Sequence, residues 1–232
     1  MNEQELMTQI YKVFHPSLPR LGPGLDACTL QALRLVPPEW RQADRHLLDL
    51  GCGNGAQTIC LAGQFPGRIR AVDTHQPFLD RLRERALAAG CKDRIETLCA
   101  DMATICPEQG PFDLIWCEGA IYNMGFERGV RHCRHLLGEG YLALTDLNWL
   151  GAERPLACQA FFEREGLPVL AIDDNLRIIR SCGFEVVGHF ALPASAWWTE
   201  FYHPLSQRLE DLRQTAGADQ GLMEMVGIIE EE

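Results

Sequence analysis

The sequence is poor in lysine and has no cluster of basic residues. Lys12 and Lys92 are the only lysines among its 232 residues, and the formal net charge is −11. Proteins that bind nucleic acids or anionic membranes neutralise phosphates with a positively charged patch. Because no such patch is present, we expect neither a nucleic-acid partner nor a membrane partner.

Long apolar runs and closely paired cysteines are also missing. No apolar run reaches the ~18 residues that a membrane-spanning helix needs. The first five residues are acidic and lack the apolar stretch of a secretory signal. The ten cysteines include no Cys-x-x-Cys pair, so we predict no metal site and no thioredoxin-like redox centre. We expect reduced, mostly buried thiols in a cytoplasmic protein.

Short apolar segments alternate with amphipathic segments along the first two thirds of the chain. The predicted strands are His46–Leu50, Ile69–Asp73, Ile95–Ala100, Phe112–Cys117 and Tyr141–Asp146. The predicted helices among them are Ala56–Phe65, Pro77–Ala89 and Glu127–Leu137. This alternation predicts an α/β fold, with a Rossmann-like, doubly wound, mostly parallel sheet covered by helices on both faces.

The segments on either side of this alternation are mainly helical. Two helices are predicted before it, at residues 3–14 and from Asp26 to about Val36. After it we predict helices at Glu153–Glu165 and Asp173–Ser181, a strand at Phe184–Leu192, and a helix or broken helix from Trp197 to about Thr215.

A glycine-rich turn follows the first predicted strand. Asp49-Leu50-Gly51-Cys52-Gly53-Asn54-Gly55 leads into the next helix, and glycines there let the backbone pass close beneath a ligand. A tight turn without a ligand would have the same composition.

Two further polar groups follow the next two predicted strands. Asp73 lies 20 residues after Gly53 and could accept hydrogen bonds from both ribose hydroxyls, although it is also suited to cap a helix. Asp101 and Met102 could contact an adenine ring, or could be turn residues. Since ligands of open α/β sheets bind at the carboxyl ends of the strands, one nucleoside could touch all three places.

These segments resemble the motifs of class I methyltransferases, which use S-adenosylmethionine (SAM). Residues 49–55, Ala71–Asp73, Ala100–Met102 and Phe112–Ala120 resemble motifs I to IV, and Gly140–Asp146 resembles the strand that follows them. The resemblance covers roughly residues 45–150. It implies SAM as cofactor, S-adenosylhomocysteine (SAH) as product, and methyl transfer to a small molecule.

The resemblance also implies a role for each residue of the motifs. Asp49 would lie near the methionine amino group, Asp73 at the ribose, and Asp101 and Met102 at the adenine. Residues 20–24 and 118–125 resemble a subgroup of small bacterial-type methyltransferases in which a Gly-Pro-Gly loop borders the cofactor. The cofactor-binding residues implied are Gly22, Gly24, Asp49, Gly51, Gly53, Gly55, Asp73, Thr74, Asp101, Met102, Glu118, Gly119 and Ala120.

A methyl acceptor that carries a hydroxyl group benefits from a general base. The catalytic candidates are Glu118, Tyr122 and His203, with Asp146 as a further base. Glu118 is equally suited to contact the cofactor or to cap a helix. The aromatic segment 197–203 could line the acceptor pocket, or could pack in the core.

We predict a single domain over residues 1–232. Within it, residues 1–40 would form a helical lid, 45–150 the SAM-binding core, and 151–232 helices and a strand that contribute to the acceptor pocket. The family sheet usually ends in a seventh, antiparallel strand, but Ile228-Ile229 runs directly into acidic residues. The sheet therefore has six strands, or its last strand is missing.

Three alternatives stay open from the sequence. A SAM-binding sensor or scaffold without catalysis would show the same cofactor motifs. A nicotinamide-dependent oxidoreductase would share the glycine-rich turn, although Asp49 and the Asp101-Met102 pair argue against it. The chain could also act as a homodimer.

Overall fold

The computed structural model of the protein describes residues 2–42, 44–215 and 219–231. Its contacts divide it into two compact units. The sheet unit is Asp26–Ala191, and the helical unit combines Met1–Leu25 with Leu192–Glu232. The predicted division into lid, core and C-terminal segment stays a prediction.

The sheet unit is built on five parallel strands in the order β3-β2-β1-β4-β5. Their bounds are β1 His46–Leu50, β2 Arg68–Asp73, β3 Ile95–Cys99, β4 Phe112–Cys117 and β5 Leu137–Leu144. The strand order reverses between β1 and β4, which is the position where open α/β sheets bind ligands. The predicted fold class is confirmed, and the predicted six or seven strands are corrected to five.

Successive residues of the central strands pack into two separate hydrophobic cores. Leu48 and Ile115 belong to one core, whereas Leu47 and Leu114 belong to the other. Because side chains alternate across a strand, the two cores lie on opposite faces of the sheet. Both faces are therefore buried, which is why the strands read as continuous apolar runs.

Helices supply the other half of both cores. Within the sheet unit they are α2 Asp26–Arg34, α3 Pro38–Arg41, α4 Ala56–Ala62, α5 Gln76–Ala88, α6 Phe126–Leu136, α7 Leu156–Arg164 and α8 Ile172–Ser181. Leu33 and Leu61 join the core of Leu47, and Cys133 and Leu136 join that of Leu48. Of the ten cysteines, six are buried, and all are free thiols.

The chain beyond β5 differs most from the prediction. Two-residue strands β6 Asn148–Trp149 and β7 Leu170–Ala171 form a small parallel sheet of their own. The strand predicted at Phe184–Leu192 is wrong, because that segment forms no ladder with any described residue. Instead Gly188 packs so closely on Leu35 that an added Cβ would lie 2.9 Å from its Cδ1 atom.

The helical unit contains α1 Glu3–Val13, α9 Ala194–Trp197, α10 His203–Thr215 and α11 Gln220–Glu231. One turn of π-helix, Trp198–Tyr202, joins α9 to α10, so the predicted broken helix is confirmed. Helix α11 occupies a segment for which neither a helix nor a strand was predicted.

The core of the helical unit explains both the aromatic segment and the last helix. Phe201 is buried and stacks on Phe14, with ring centroids 6.3 Å apart, whereas Trp198 is exposed. The residues of α11 that join this core are Leu222, Met225, Val226 and Ile229. Among the residues described for the chain, no helix combines the length and the apolar character needed to cross a bilayer.

Candidate functional site

The turn between β1 and α4 can be formed only with glycine at defined positions. Gly51, Gly53 and Gly55 have φ angles of +68°, +53° and +84°, a region that other residues enter at a cost. A Cβ atom at Gly51 would also overlap that of Ala120. The peptide nitrogens of Gly51 and Cys52 both donate to the Val72 carbonyl oxygen at 2.9 Å, which ties the turn to β2.

Asp49 is completely buried at the heart of the sheet. The Thr58 hydroxyl donates to its Oδ2 atom at 2.5 Å, and Gln57 Nε2 donates to Oδ1 at 3.3 Å. Burial nevertheless raises the pKa of Asp49 to about 7, and the negative charges of Glu118 and Asp73 act in the same direction. A cationic ligand would relieve this penalty.

Asp73, at the end of β2, holds two turns together. Its Oδ2 atom accepts from the Gly53 peptide nitrogen and its Oδ1 atom from that of His75, both at 2.9 Å. Burial raises the pKa of Asp73, and these two hydrogen bonds oppose the rise. Asp73 therefore orders both the glycine turn and the turn that leads into α5.

Asp101 and Met102 follow β3, as predicted. Asp101 is exposed and begins a short turn of 3₁₀-helix, in which the Ala103 peptide nitrogen donates to Asp101 Oδ1 at 2.8 Å. The Met102 methyl group approaches Gly51, since a Cβ built there would lie 3.4 Å from Met102 Cε. Met102 thus flanks the glycine turn, whereas Thr74, after β2, is exposed.

Glu118 follows β4 and is held by two donors. Its Oε1 atom accepts from the Thr29 hydroxyl at 2.6 Å and from Trp116 Nε1 at 2.8 Å. Both bonds fix the orientation of the carboxylate.

The next residues form the loop that leaves the sheet after β4. Gly119 has a φ angle of +63°, and its peptide nitrogen donates to Thr145 Oγ1 at 2.7 Å. Ala120 is buried, whereas Tyr122 is 51% exposed. This loop is therefore tied to the residue that follows β5.

Asp146, two residues beyond β5, belongs to a second polar cluster. Asn175 Nδ2 donates to Asp146 Oδ2 and to Asn148 Oδ1, both at 3.0 Å. Burial raises the pKa of Asp146 to about 6, and the bond from Asn175 opposes the rise.

Three carboxyl groups therefore meet at the carboxyl ends of neighbouring strands. Asp73, Asp49 and Glu118 belong to or follow β2, β1 and β4, and the last two of these strands flank the reversal of strand order. SAM fits this environment, because its sulfonium and ammonium groups are cationic. The diphosphate of a nicotinamide dinucleotide would instead meet negative charge.

The remaining three candidates lie in the helical unit. The peptide nitrogen of Gly24 donates to the Ala196 carbonyl oxygen at 2.9 Å, Gly22 is half-buried, and His203 is the exposed first residue of α10. The roles assigned to these residues stay predictions.

Sequence reasoning missed the partners that fix the acidic groups. Trp116 lies two residues before Glu118 on a strand, so their shared side of the sheet could have indicated the contact. Gln57 and Thr58 lie in the first turn of α4, directly after the glycines, so their closeness to the turn could have indicated their contact with Asp49. Thr29, 89 residues from Glu118, left no local signal.

The chain matches known methyltransferases in sequence and in fold. Residues 47–140 match the family described as "Methyltransferase domain". The chain is 27% identical over 187 residues to the 27-O-demethylrifamycin SV methyltransferase of Amycolatopsis mediterranei, which covers 76% of this chain and 66% of that protein. It is 38% identical over 85 residues to the trans-aconitate 2-methyltransferase of Paracidovorax citrulli, covering 36% and 30% of the two chains.

One solved structure shows the same fold. A SAM-dependent methyltransferase from Geobacter sulfurreducens, in complex with SAH, superposes with a TM-score of 0.78 at 16% identity and covers 94% of this chain and 88% of that chain. The present chain spans less than two thirds of the length of the two curated relatives named above. The matched family, the parallel sheet and the ordered motifs agree on one identification. Residues 47–140 therefore match a methyltransferase domain, and the chain has the fold of a SAM-dependent methyltransferase.

Proposed function

We propose that the protein binds SAM at the carboxyl ends of β2, β1 and β4 and transfers its methyl group to a small-molecule acceptor. The observation that carries the proposal is the convergence of three carboxyl groups, one of them fully buried, beside a turn that only glycines can form. A buried acid whose pKa is raised by burial and further by neighbouring acids favours a cationic ligand.

Each residue of the site has a defined task in this proposal. Asp49, oriented by Thr58 and Gln57, faces the ligand's ammonium group, and Asp73 accepts from the ribose hydroxyls while it keeps the glycine turn in place. Met102 and Asp101 border the adenine. Glu118 is held at the acceptor side by its two donors.

SAM, when bound, supplies a methyl group that is already activated by the positive sulfur. The protein must therefore align the acceptor with that group and exclude water, which can account for several kcal/mol of the barrier reduction, within the ~7–11 kcal/mol range for well-oriented reactants. A hydroxyl acceptor would also benefit from a base at this edge of the sheet, and Glu118, Tyr122 and Asp146 are our candidates for it.

The choice of a small molecule as acceptor rests on the named relatives and on charge. The names of the two relatives indicate a rifamycin derivative and trans-aconitate as their substrates. The net charge of −11 disfavours nucleic acid as a partner. We further propose a cytoplasmic protein, with a homodimer as one oligomeric state to be tested by light scattering.

The test combines binding with turnover. Calorimetry with SAM and with NAD should show binding of SAM only, and a screen of amines, phenols and carboxylic acids should yield SAH with at least one class. Binding of SAM without turnover of any acceptor would favour a sensor or scaffold. Binding of NAD without SAM would overturn the proposal in favour of an oxidoreductase.

A further inference from the structure

A polar cluster made of Asp146, Asn148 and Asn175 lies beside the proposed SAM site, within the sheet unit. Asp146 follows β5, Asn148 begins β6, and Asn175 lies on α8. Two hydrogen bonds tie Thr145, the residue before Asp146, to the end of β4 and the loop that follows it. The Thr145 peptide nitrogen donates to the Cys117 carbonyl oxygen at 3.1 Å, and Thr145 Oγ1 accepts from the Gly119 peptide nitrogen. Asp146 therefore lies next to the loop that contains Glu118.

Asn175 is buried, with only 5% of its surface exposed, and is fixed in one orientation. Its Nδ2 group donates to two oxygen atoms, Asp146 Oδ2 and Asn148 Oδ1. Because a carboxylate oxygen and an amide oxygen are both acceptors, the group that faces them must be the donor, the NH₂ of Asn175. The Oδ1 atom takes part in neither bond. Among the described residues it has no hydrogen-bond partner, which is unusual for a buried carbonyl oxygen.

The cluster offers two hydrogen-bond acceptors, the Asp146 carboxylate and the unsatisfied Asn175 amide oxygen. Trp149, the residue after Asn148, packs edge-on against Phe162, with ring centroids 5.8 Å apart.

We propose that Asp146 and Asn175 Oδ1 bind the methyl acceptor, and that the acceptor is an amine. This inference rests on the proposed function and names its substrate class. Two acceptor oxygens call for a group with at least two N–H donors, which a primary amine supplies and a hydroxyl, with one hydrogen, does not. A carboxylate acceptor would be repelled by Asp146.

The same pair accounts for the proton that an amine must lose before it attacks. An alkylammonium group transfers one proton to the Asp146 carboxylate and becomes a neutral amine. The nitrogen lone pair then forms a bond to the methyl carbon, the carbon–sulfur bond breaks, and its electron pair stays on sulfur to give SAH. The product leaves as a methylammonium ion, and the Asp146 carboxyl group returns its proton to solvent.

The first test measures binding to the wild-type protein saturated with SAH. Benzylamine, benzyl alcohol and benzoate share one skeleton and differ only in the group that the cluster would contact. Calorimetry should show benzylamine binding at least tenfold more tightly than the other two. Equal binding of the three, or binding of benzoate or benzyl alcohol alone, would overturn the proposal.

The second test uses Asp146→Asn, which keeps the shape of the side chain and removes its charge. We expect benzylamine binding to fall by about 10- to 100-fold, the scale for a hydrogen bond to a charged group, with SAM binding unchanged. Asp173→Asn removes the same charge from the exposed first turn of α8 and serves as the matched control, with no expected change. Unchanged amine binding by Asp146→Asn would contradict the assignment.

A third variant, Asn175→Leu, keeps the branching of the side chain and removes both the unpartnered oxygen and the Nδ2 donor to Asp146 and Asn148. The variant should weaken the binding of benzylamine more than that of the N,N,N-trimethylated benzylammonium ion, because that ion has no N–H donor to lose. An equal loss of affinity for both ligands would overturn the role of Asn175. The outcomes also separate this inference from the proposed function. Failure to bind SAM refutes the function, whereas SAH formation from hydroxyl or carboxylate acceptors alone refutes only the amine.

Discussion

At the scale of single residues, the site depends on acids that are buried before any ligand arrives. Asp49 is enclosed by the sheet and by the first turn of α4, so its charge is destabilised in the folded protein. Two hydrogen bonds offset part of that effect. The residue is therefore a source of instability that a bound cation would remove.

The first prediction concerns the pH dependence of stability. The pKa of Asp49 is raised from 3.8 to about 7, so its contribution to stability is present below pH 3.8 and is lost as the pH rises through 7. Between pH 5 and 7.5 the free energy of unfolding of the wild-type protein should decrease. In Asp49→Asn this decrease should be smaller by about 2 kcal/mol. Urea titrations at several pH values would measure it. Parallel curves for the two proteins would show that Asp49 does not titrate in this window.

The second prediction concerns Asp73. Replacement by alanine should weaken SAM binding by about 1.5–3 kcal/mol, the scale of hydrogen bonds to a charged group. Calorimetry gives the affinity, and thermal melting gives the stability. Since Asp73 also accepts from Gly53 and His75, some loss of stability is expected as well. If stability falls and the affinity stays the same, Asp73 is only a cap.

At the scale of elements, the glycine turn joins the site to the fold. Gly51 needs its left-handed backbone and also lacks space for a Cβ atom, because Ala120 occupies that position. Gly119 has a similar φ angle, but nothing lies within 4 Å of the place where its Cβ would be. The two glycines thus separate the effect of backbone strain from that of overlap.

The third prediction compares the two alanine variants. Gly119→Ala should lower stability by about 1–2 kcal/mol, the strain of a left-handed backbone alone. Gly51→Ala should lower it by about 2–5 kcal/mol, because overpacking adds about 1–3 kcal/mol to the same strain. Chemical denaturation would measure both. Equal losses would mean that Ala120 moves aside without penalty.

The elements also show which parts of the fold can be inferred from sequence. The parallel strands were found because both of their faces are buried, which leaves continuous apolar runs such as Leu47 and Leu48. The segment 184–192 has similar residues, but a strand forms only where a neighbouring strand offers hydrogen bonds, and that pairing is not encoded locally. In α11, Leu222, Met225, Val226 and Ile229 have helical spacing, so this helix could have been predicted from the sequence.

The residues of the site also fall into those that could be predicted from the sequence and those that could not. The glycines, Asp49, Asp73 and Asp101 were recognisable because each lies within a few residues of a strand end. Contacts between distant segments were not, as with the bond from Asn175 to Asp146, 29 residues apart. Such contacts depend on how the segments after β5 pack on the sheet, and no local pattern reports that packing.

At the scale of the whole molecule, net charge matters before binding begins. The chain carries a formal charge of −11, and three acids lie in the proposed site. A negatively charged protein attracts a cation over distances of about one Debye length, ~10 Å at 0.1 M salt. SAM carries one net positive charge at neutral pH, whereas SAH carries none. The two ligands share almost every contact and differ in this long-range electrostatic attraction.

The last prediction uses that difference. The association rate constant of SAM should fall by about threefold to tenfold between 20 and 300 mM NaCl, at the low end of the range for electrostatic steering. That of SAH should change by less than twofold, because a neutral ligand is not steered. Stopped-flow fluorescence can follow both, since the Trp116 indole donates to Glu118 within the site. Equal salt dependence for SAM and SAH would show that the charge of the molecule does not act on the ligand before contact, and that the carboxyl groups act only at short range.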